Sequence, residues 1–148
     1  MGVVRGFQLL DDNVPAEKLR PNAITLIVPV LGILEQSGLA ADSTGVKYEG
    51  PRFKVKTAGL KSAKIRATWT ASHSDSETAI ELYDVTAGSV VGSVSGNTGT
   101  DVESDDLKDG ITEGNLLELR VNVTTASATS GATTDVKYAV LELEYGWS

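Results

Sequence analysis

The feature that most constrains this chain is a strict alternation of apolar and polar residues between Ser62 and Ala71. Successive side chains of a β-strand point to opposite faces, so this period of two predicts a strand with one buried and one solvated side. No helical period extends beyond one or two turns anywhere in the sequence. The chain is therefore predicted to be all-β. The residues on the apolar side are Ile65, Ala67, Trp69 and Ala71.

Comparable segments recur at a spacing of roughly ten residues, with Gly, Asp and Ser turn signals between them. Glu35–Gly50 is predicted to be a loop, and Gly96–Gly114 is predicted to be a long acidic crossing in which the chain changes sheets. This pattern predicts a β-sandwich of jelly-roll or Greek-key type with at most one short N-terminal helix, before Pro21. The other predicted strands are Val3–Leu10, Arg52–Thr57, Thr78–Val85, Val90–Ser95, Leu116–Thr124 and Asp135–Trp147.

An almost continuous apolar run occupies Ala23–Leu34. It is too short to cross a bilayer and contains Pro29 and Gly32, so no membrane span is expected. Its lack of alternation indicates that both of its faces must be covered, which favours burial against other copies of the chain. We therefore predict an assembly segment in residues 1–50 and a sandwich body in residues 51–148, within one folded unit.

Charge and cysteine content narrow the possible functions. The net charge is −7 and the isoelectric point is near 4.6, so a nucleic-acid backbone is not an expected partner. The absence of cysteine excludes disulfides and thiolate metal sites. No signal peptide is recognised, and a virion or extracellular location is expected. The only basic concentration, interpreted as a solvated face, consists of Lys54, Lys56, Lys61, Lys64 and Arg66.

Catalytic chemistry has little support in the sequence. The only imidazole belongs to His73, which lies in a Ser/Asp turn, and no nucleophile-elbow motif accompanies it. Carboxylates at Asp101, Glu103, Asp105, Asp106 and Asp109 are interpreted as a solvated loop, with calcium binding as the alternative. We therefore expect no enzymatic activity and no cofactor.

The candidate binding residues are two tyrosines. Aromatic residues make up only 5% of the chain, and both tryptophans are assigned to inward faces by alternation. Tyr83 and Tyr138 then form the best exposed aromatic pair, which would suit a sugar-binding face. The alternative is that the two tyrosines pack at a sheet edge or a subunit contact.

Two segments resemble known families. Leu9–Leu19, with the sequence LLDDNVPAEKL, resembles short linkers that precede a β-rich head in viral and phage tail-fibre proteins. Ile80–Val91 is similar to paired strands in jelly-roll modules of virion appendages and of carbohydrate-binding modules. In those families this pairing is scaffold, so the resemblance transfers no site residue.

The resemblance implies a non-enzymatic virion building block or appendage that forms a symmetric oligomer. The expected function is therefore that of a structural or interaction protein, which self-assembles and presents loops to a host or partner. The expected partners are other copies, other virion proteins or a surface glycan. The alternative function is that of a carbohydrate-binding β-sandwich module.

Overall fold

The structure is a computed structural model, and it describes residues 25–146. The strand predicted at Val3–Leu10, the short helix predicted before Pro21 and the inward position predicted for Trp147 lie outside the described residues. The strands within this range are β1 (Thr25–Ile33), β2 (Gln36–Ala40), β3 (Gly45–Glu49), β4 (Leu60–Ala71), β5 (Glu77–Asp84), β6 (Ser89–Gly96), β7 (Thr98–Glu103), β8 (Leu117–Thr125) and β9 (Thr133–Gly146).

The strands form two antiparallel sheets. The first sheet has the order β1-β9-β4-β7, with β2 also on β9, and the second has the order β3-β8-β5-β6. Because β1 and β2 pair with successive parts of β9, they act as one interrupted edge strand. The pairs are nested: β5 with β6, β4 with β7, β3 with β8, and the β1/β2 edge with β9. Nested antiparallel pairs wound into two sheets are the arrangement of a jelly roll, so the predicted fold class is confirmed.

The space between the sheets is filled by the side chains that the alternation assigned to it. Trp69 of β4 is fully buried, and its indole Nε1 donates a hydrogen bond to the carbonyl oxygen of Gly96 at 3.0 Å. This bond satisfies the one polar atom that the burial of a tryptophan removes from water. The inward assignments of β4, β8 and β9 are confirmed by the burial of Ile65, Ala67, Trp69, Leu117, Leu119, Val121, Val123, Ala139, Leu141 and Leu143.

The strand predicted at Arg52–Thr57 is wrong. Within this stretch only Phe53 forms a β-bridge, to Leu117. Val55 is buried because it packs against the core, without belonging to a strand. Phe53 and Val55 therefore alternate with polar residues because their side chains pack inward, although this stretch forms no ladder of backbone hydrogen bonds.

The loop predicted at Glu35–Gly50 is also wrong, because it contains β2 and β3. Each of these strands has five residues and pairs with one neighbour, β9 or β8. Such short edge strands bury too little to produce an alternating sequence pattern.

The segment Gly96–Gly114 contains β7, so it is not wholly a loop. The predicted change of sheet does occur there: β6 ends at Gly96 in the second sheet, and β7 begins at Thr98 in the first. Residues 104–116, with a short 3-10 turn at Lys108–Gly110, then return the chain to the second sheet.

Within the apolar run identified in the sequence, Thr25–Ile33 forms β1, which reaches toward the second sheet near its end. The register with β9 shifts between Leu31 and Ile33, and a Cβ atom on Gly32 would overlap the side chain of Leu119. A Cβ atom on Gly50 would overlap the carbonyl oxygen of Gly32. Glycine at these two positions thus allows β1 to close one side of the sandwich against β8.

Residues 25–50 belong to the same folded unit as residues 51–146, because β1, β2 and β3 are strands of the two sheets. Within the described range, no helix is long and apolar enough to span a membrane.

Candidate functional site

Tyr83 lies on the outer face of the second sheet. Ile80 and Leu82 on the same strand are fully buried, so Tyr83 points away from the core as the sequence predicted. The guanidinium carbon of Arg120 lies 3.5 Å from the centre of the Tyr83 ring. One face of the aromatic ring is therefore occupied by a cation.

Tyr138 lies on the outer face of the first sheet, where it pairs with Thr68 of β4. Its hydroxyl donates a hydrogen bond of 2.6 Å to Oδ1 of Asp101. This bond raises the pKa of Tyr138 and is the main cause of the lowered pKa of Asp101. Since Tyr83 and Tyr138 face outward from opposite sheets, the structure does not bring them together into one site.

The outer face of the first sheet carries an ion-pair network centred on Arg66. The Arg66 guanidinium contacts three carboxylates: Nε–Oε1 of Glu142 at 2.9 Å, Nη1–Oδ2 of Asp101 at 3.2 Å, and Nη2–Oε2 of Glu103 at 2.6 Å. Lys64 Nζ also contacts Oε1 of Glu103, at 2.7 Å. We call this surface the Arg66 face. It includes two of the five residues of the predicted basic concentration, Lys64 and Arg66, paired with Asp101 and Glu103 of the predicted acidic crossing and with Glu142 of β9.

The charges of the Arg66 face shift one another's titration. The ammonium group of Lys64 is the main cause of the lowered pKa of Glu103, and Glu103 in turn raises the pKa of Lys64. The side chains are only partly covered, with 30% of Arg66 and 37% of Glu103 exposed. Water therefore screens these ion pairs.

A shallow depression of about 220 Å³ opens on this face beside β1. It offers hydrogen-bond donors and acceptors next to one apolar side chain. Its lining residues are Ile27, Ser62, Lys64, Arg66, Glu103, Glu142 and Glu144.

The outer face of the second sheet has a different centre. Arg120 Nε contacts Oε2 of Glu81 at 2.8 Å, and Asn122 Nδ2 donates to Oε1 of the same carboxylate at 2.9 Å. Only 14% of the Arg120 side chain and 8% of the Glu81 side chain are exposed. We call this surface, formed by Glu81, Tyr83, Glu118, Arg120 and Asn122, the Arg120 face.

Sequence reasoning found Tyr83 but missed Glu81, Arg120 and Asn122. Glu81 and Arg120 are direct cross-strand neighbours of β5 and β8, and they are 39 residues apart in the chain. Both residues occupy outward, polar positions of alternating strands, so no signal in the sequence distinguished them from solvent-exposed charges. Their partnership depends on the strand register, which the sequence alone did not supply.

The loops at one end of the sandwich are tied together by hydrogen bonds. Backbone bonds of 2.8 Å join Ala41 to Ala132 and to Ser127. Asp75 accepts bonds from the Ser127 hydroxyl at 2.7 Å and the Ala128 amide at 2.9 Å, and these lower its pKa. We call this region, residues 41–44, 72–76, 97 and 126–132, the loop end. Its loops are held in a fixed arrangement.

His73 is an exposed residue of the loop end. Its Nδ1 lies 2.9 Å from the hydroxyl of Ser72, and that hydroxyl accepts a hydrogen bond from the amide of Thr133. The carboxylate of Asp75 is bonded to Ser127 and Ala128 of the opposite loop, whereas the hydrogen-bond partner of the imidazole is the Ser72 hydroxyl. The arrangement lacks the carboxylate that orients the base in a Ser-His-Asp triad.

The acidic crossing is divided between two structural roles. Asp101 and Glu103 pair with Arg66, while Asp106 Oδ1 accepts the amides of Ala63 at 2.9 Å and Lys108 at 3.1 Å. Across residues 25–146, no three His, Cys, Asp or Glu side chains are grouped so that they could hold a metal ion.

The β1 edge combines exposure with apolar character. Leu26 is 53% exposed and Ile27 is 62% exposed, and β1 pairs only with β9 within the described range. The edge strands β3 and β7 contain charged residues, whereas β1, β2 and β6 contain none. Charged side chains on an edge strand normally oppose association, so the uncharged edges are less protected, and β1 exposes the largest apolar side chains among them.

A scan against protein-family models found no match, and a search of curated proteins found no significant match.

Proposed function

We propose that this chain is a non-enzymatic structural subunit that self-assembles, as a component of a virion or of an appendage. The observation that carries the proposal is the β1 edge: nine residues with no charge and with two large apolar side chains more than half exposed. Exposed apolar surface of this kind marks an interaction site or an aggregation liability, and we interpret the β1 edge as an interaction site between copies of the chain.

The polar networks support a structural role. The carboxylates of the Arg66 face, the Arg120 face and the loop end hold neighbouring strands or loops through short hydrogen bonds. Catalytic sites instead require a base or nucleophile aimed at open space with a partner that activates it. The jelly roll itself serves capsid, lectin and cupin domains alike, so the fold agrees with the proposal without selecting it.

The loop end supplies a surface for contact with a host or partner. Its loops are fixed by bonds such as that between Asp42 and the Gly131 amide, at 2.8 Å. Ser74, Ala128 and Thr129 are exposed on these loops. A fixed arrangement of exposed loops loses little conformational entropy on binding.

Sedimentation velocity on the full chain at micromolar concentration tests the proposal. We expect particles of two or more copies with one defined size, rather than the broad distribution of an irregular aggregate. Particles of only 15.5 kDa at every concentration would contradict the proposed function.

Carbohydrate binding is the second candidate function, and the depression beside β1 favours it. The depression contains cationic donors and carboxylate acceptors, Lys64, Arg66 and Glu142 among them, and such groups can bind sugar hydroxyls. Tyr138 lies on the same face, whereas Tyr83 lies on the other.

A titration of the isotope-labelled chain with simple sugars, followed by NMR, tests the second candidate. Shifts confined to residues of the Arg66 face, and lost in Arg66→Met, would support it. Lys47→Met, which replaces a cation of β3 in the second sheet, is the matched control. An unchanged spectrum at millimolar sugar would exclude a site for those sugars.

A further inference from the structure

The apolar edge has an orientation that can be read from its register with β9. Ile27 pairs with Glu144 and Pro29 pairs with Glu142. Since Leu141 and Leu143 point into the core, Ile27 and Pro29 lie on the outer side of the first sheet, beside the Arg66 face. Ile27 thus projects at the corner where the sheet's outer face meets its edge.

Pro29 limits how another chain can join this edge. Proline has no backbone N–H and is therefore confined to edge strands or bulges of a sheet. A strand added alongside β1 would find no donor at Pro29, so a continuous ladder through the middle of β1 would be interrupted. Contact through side chains requires no such ladder.

Charge restricts where two copies can meet. The chain carries a net charge of −7, so two copies repel each other over most of their surfaces. Thr25–Leu34 contains no charged residue, and it displays Leu26, Ile27 and Leu34. The nearest carboxylates, Glu142 and Glu144 of β9, lie beside the cations Lys64 and Arg66, so two copies can approach here over uncharged side chains with the flanking charges balanced.

We propose that β1 is the contact between two copies of the chain, packed side chain to side chain across a two-fold axis with Ile27 at its centre. The proposal rests on the proposed self-assembly and names its partner and its surface. A two-fold axis brings the same patch of both copies together, so an uncharged patch needs no complementary surface elsewhere. The product is a closed pair, because the pairing uses the same edge of both copies.

Single-cysteine variants test the contact, because the natural chain contains no cysteine. Ile27→Cys reports on the proposed contact. Val90→Cys, at an exposed apolar position of the charge-free edge strand β6, is the matched control. The rate at which a maleimide reagent alkylates each thiol is measured alongside sedimentation at the same concentrations.

We expect the alkylation rate of Ile27→Cys to fall about fivefold when the total chain concentration reaches about ten times the dimer dissociation constant, because about one fifth of the chains are then monomeric. The rate for Val90→Cys should stay the same. Under mild oxidation, Ile27→Cys should also form a disulfide-linked dimer, since a two-fold axis brings the two thiols close together.

The remaining outcomes overturn the proposal in distinguishable ways. Assembled particles in which Ile27→Cys reacts freely would show that copies meet elsewhere, so this contact fails while self-assembly stands. Particles that sediment as monomers yet protect Ile27→Cys would show that the chain's own residues cover β1. Monomers with a freely reacting thiol at every concentration would refute both the contact and the proposed function.

Discussion

Each outer face of the sandwich has an arginine at its centre, but the two arginines differ in the number of their carboxylate partners and in their exposure to solvent. The guanidinium of Arg66 contacts three carboxylates, and 30% of the Arg66 side chain is exposed. Arg120 has one carboxylate partner, Glu81, lies against the ring of Tyr83 and is 14% exposed. Arg66 therefore belongs to a solvated network of ion pairs, whereas Arg120 and Glu81 form one ion pair that is nearly buried.

The difference shows that the number of ion pairs is a poor guide to their importance. Arg66 has more partners, but each of them remains solvated if the arginine is removed. Glu81 is almost inaccessible to water, so loss of Arg120 would leave a nearly buried carboxylate with only Asn122 beside it. The face with fewer ion pairs should therefore be the more sensitive one.

The largest expected effect is that of Arg120→Met. It should lower the free energy of unfolding by about 3 kcal/mol, because it breaks a mostly buried pair and uncovers Tyr83. Urea denaturation followed by tryptophan fluorescence measures the change, since Trp69 is in the core. The matched control is Arg66→Met. An equal loss in the two variants would contradict the comparison.

A double replacement should recover part of this loss. Glu81→Met combined with Arg120→Met removes both charges and leaves side chains of similar length, so no unpaired carboxylate remains. We expect the double variant to be about 1–2 kcal/mol more stable than Arg120→Met alone. If the two losses simply add in a double-mutant cycle, the stranded carboxylate is not the cause of the instability.

Arg66→Met should have a much smaller effect, and salt should reduce it further. At about 1 M NaCl the screening length is about 3 Å, so partly exposed ion pairs contribute little. The difference in stability between Arg66→Met and the natural chain should therefore shrink from low to high salt, measured in urea. The loss in Arg120→Met should change less. A salt-independent effect of Arg66→Met would show that its network is drier than its exposure indicates.

The smallest expected effect is a shift in titration within the Arg66 face. Lys64→Met should raise the pKa of Glu103, because the Lys64 ammonium is the main cause of its lowered value. Carboxyl-carbon NMR measures this shift. Asp101 is the internal control, since its pKa is lowered mainly by Tyr138 and next by Arg66. A shift of Asp101 as large as that of Glu103 would contradict this assignment.

The same titration links stability to pH. The pKa of Glu103 is lower in the folded chain than its unfolded value of about 4.3, so its contribution to stability is fully present above that pH. The contribution is lost as the pH falls through the folded value. Lys64→Met should therefore differ from the natural chain in stability at pH 7, and the difference should disappear in acid.

The fold was predictable where one side of a strand is buried and the other is wet. β4, β8 and β9 were predicted from their alternation, because a strand with one buried and one solvated face needs apolar residues on one side and polar residues on the other. β2 and β3 were missed because short edge strands bury little on either face and therefore do not require alternation. The stretch at Arg52–Thr57 produced the opposite error, since Val55 packs inward from a segment that is not a strand.

The candidate sites were less predictable than the fold because they depend on register. The outward direction of Tyr83 followed from the burial of Ile80 and Leu82, whereas its contact with Arg120 required the pairing of β5 with β8. Tyr138 was also identified as a surface residue, but the sheet that carries it could not be assigned from a single sequence. The two tyrosines were thus predicted individually and not as an arrangement.

The pairing of β1 with β9 affects how the chain can fold during its synthesis. Thr25 pairs with Gly146, so the first sheet joins the beginning and the end of the described chain, while the β5–β6 hairpin needs only the turn of residues 85–88. During synthesis the hairpin can form early, whereas β1 has no partner until β9 has emerged from the ribosome. Such distant pairing slows folding and exposes apolar strands in the meantime. β1 therefore stays unpaired until β9 is available, and we expect chaperone dependence during that interval.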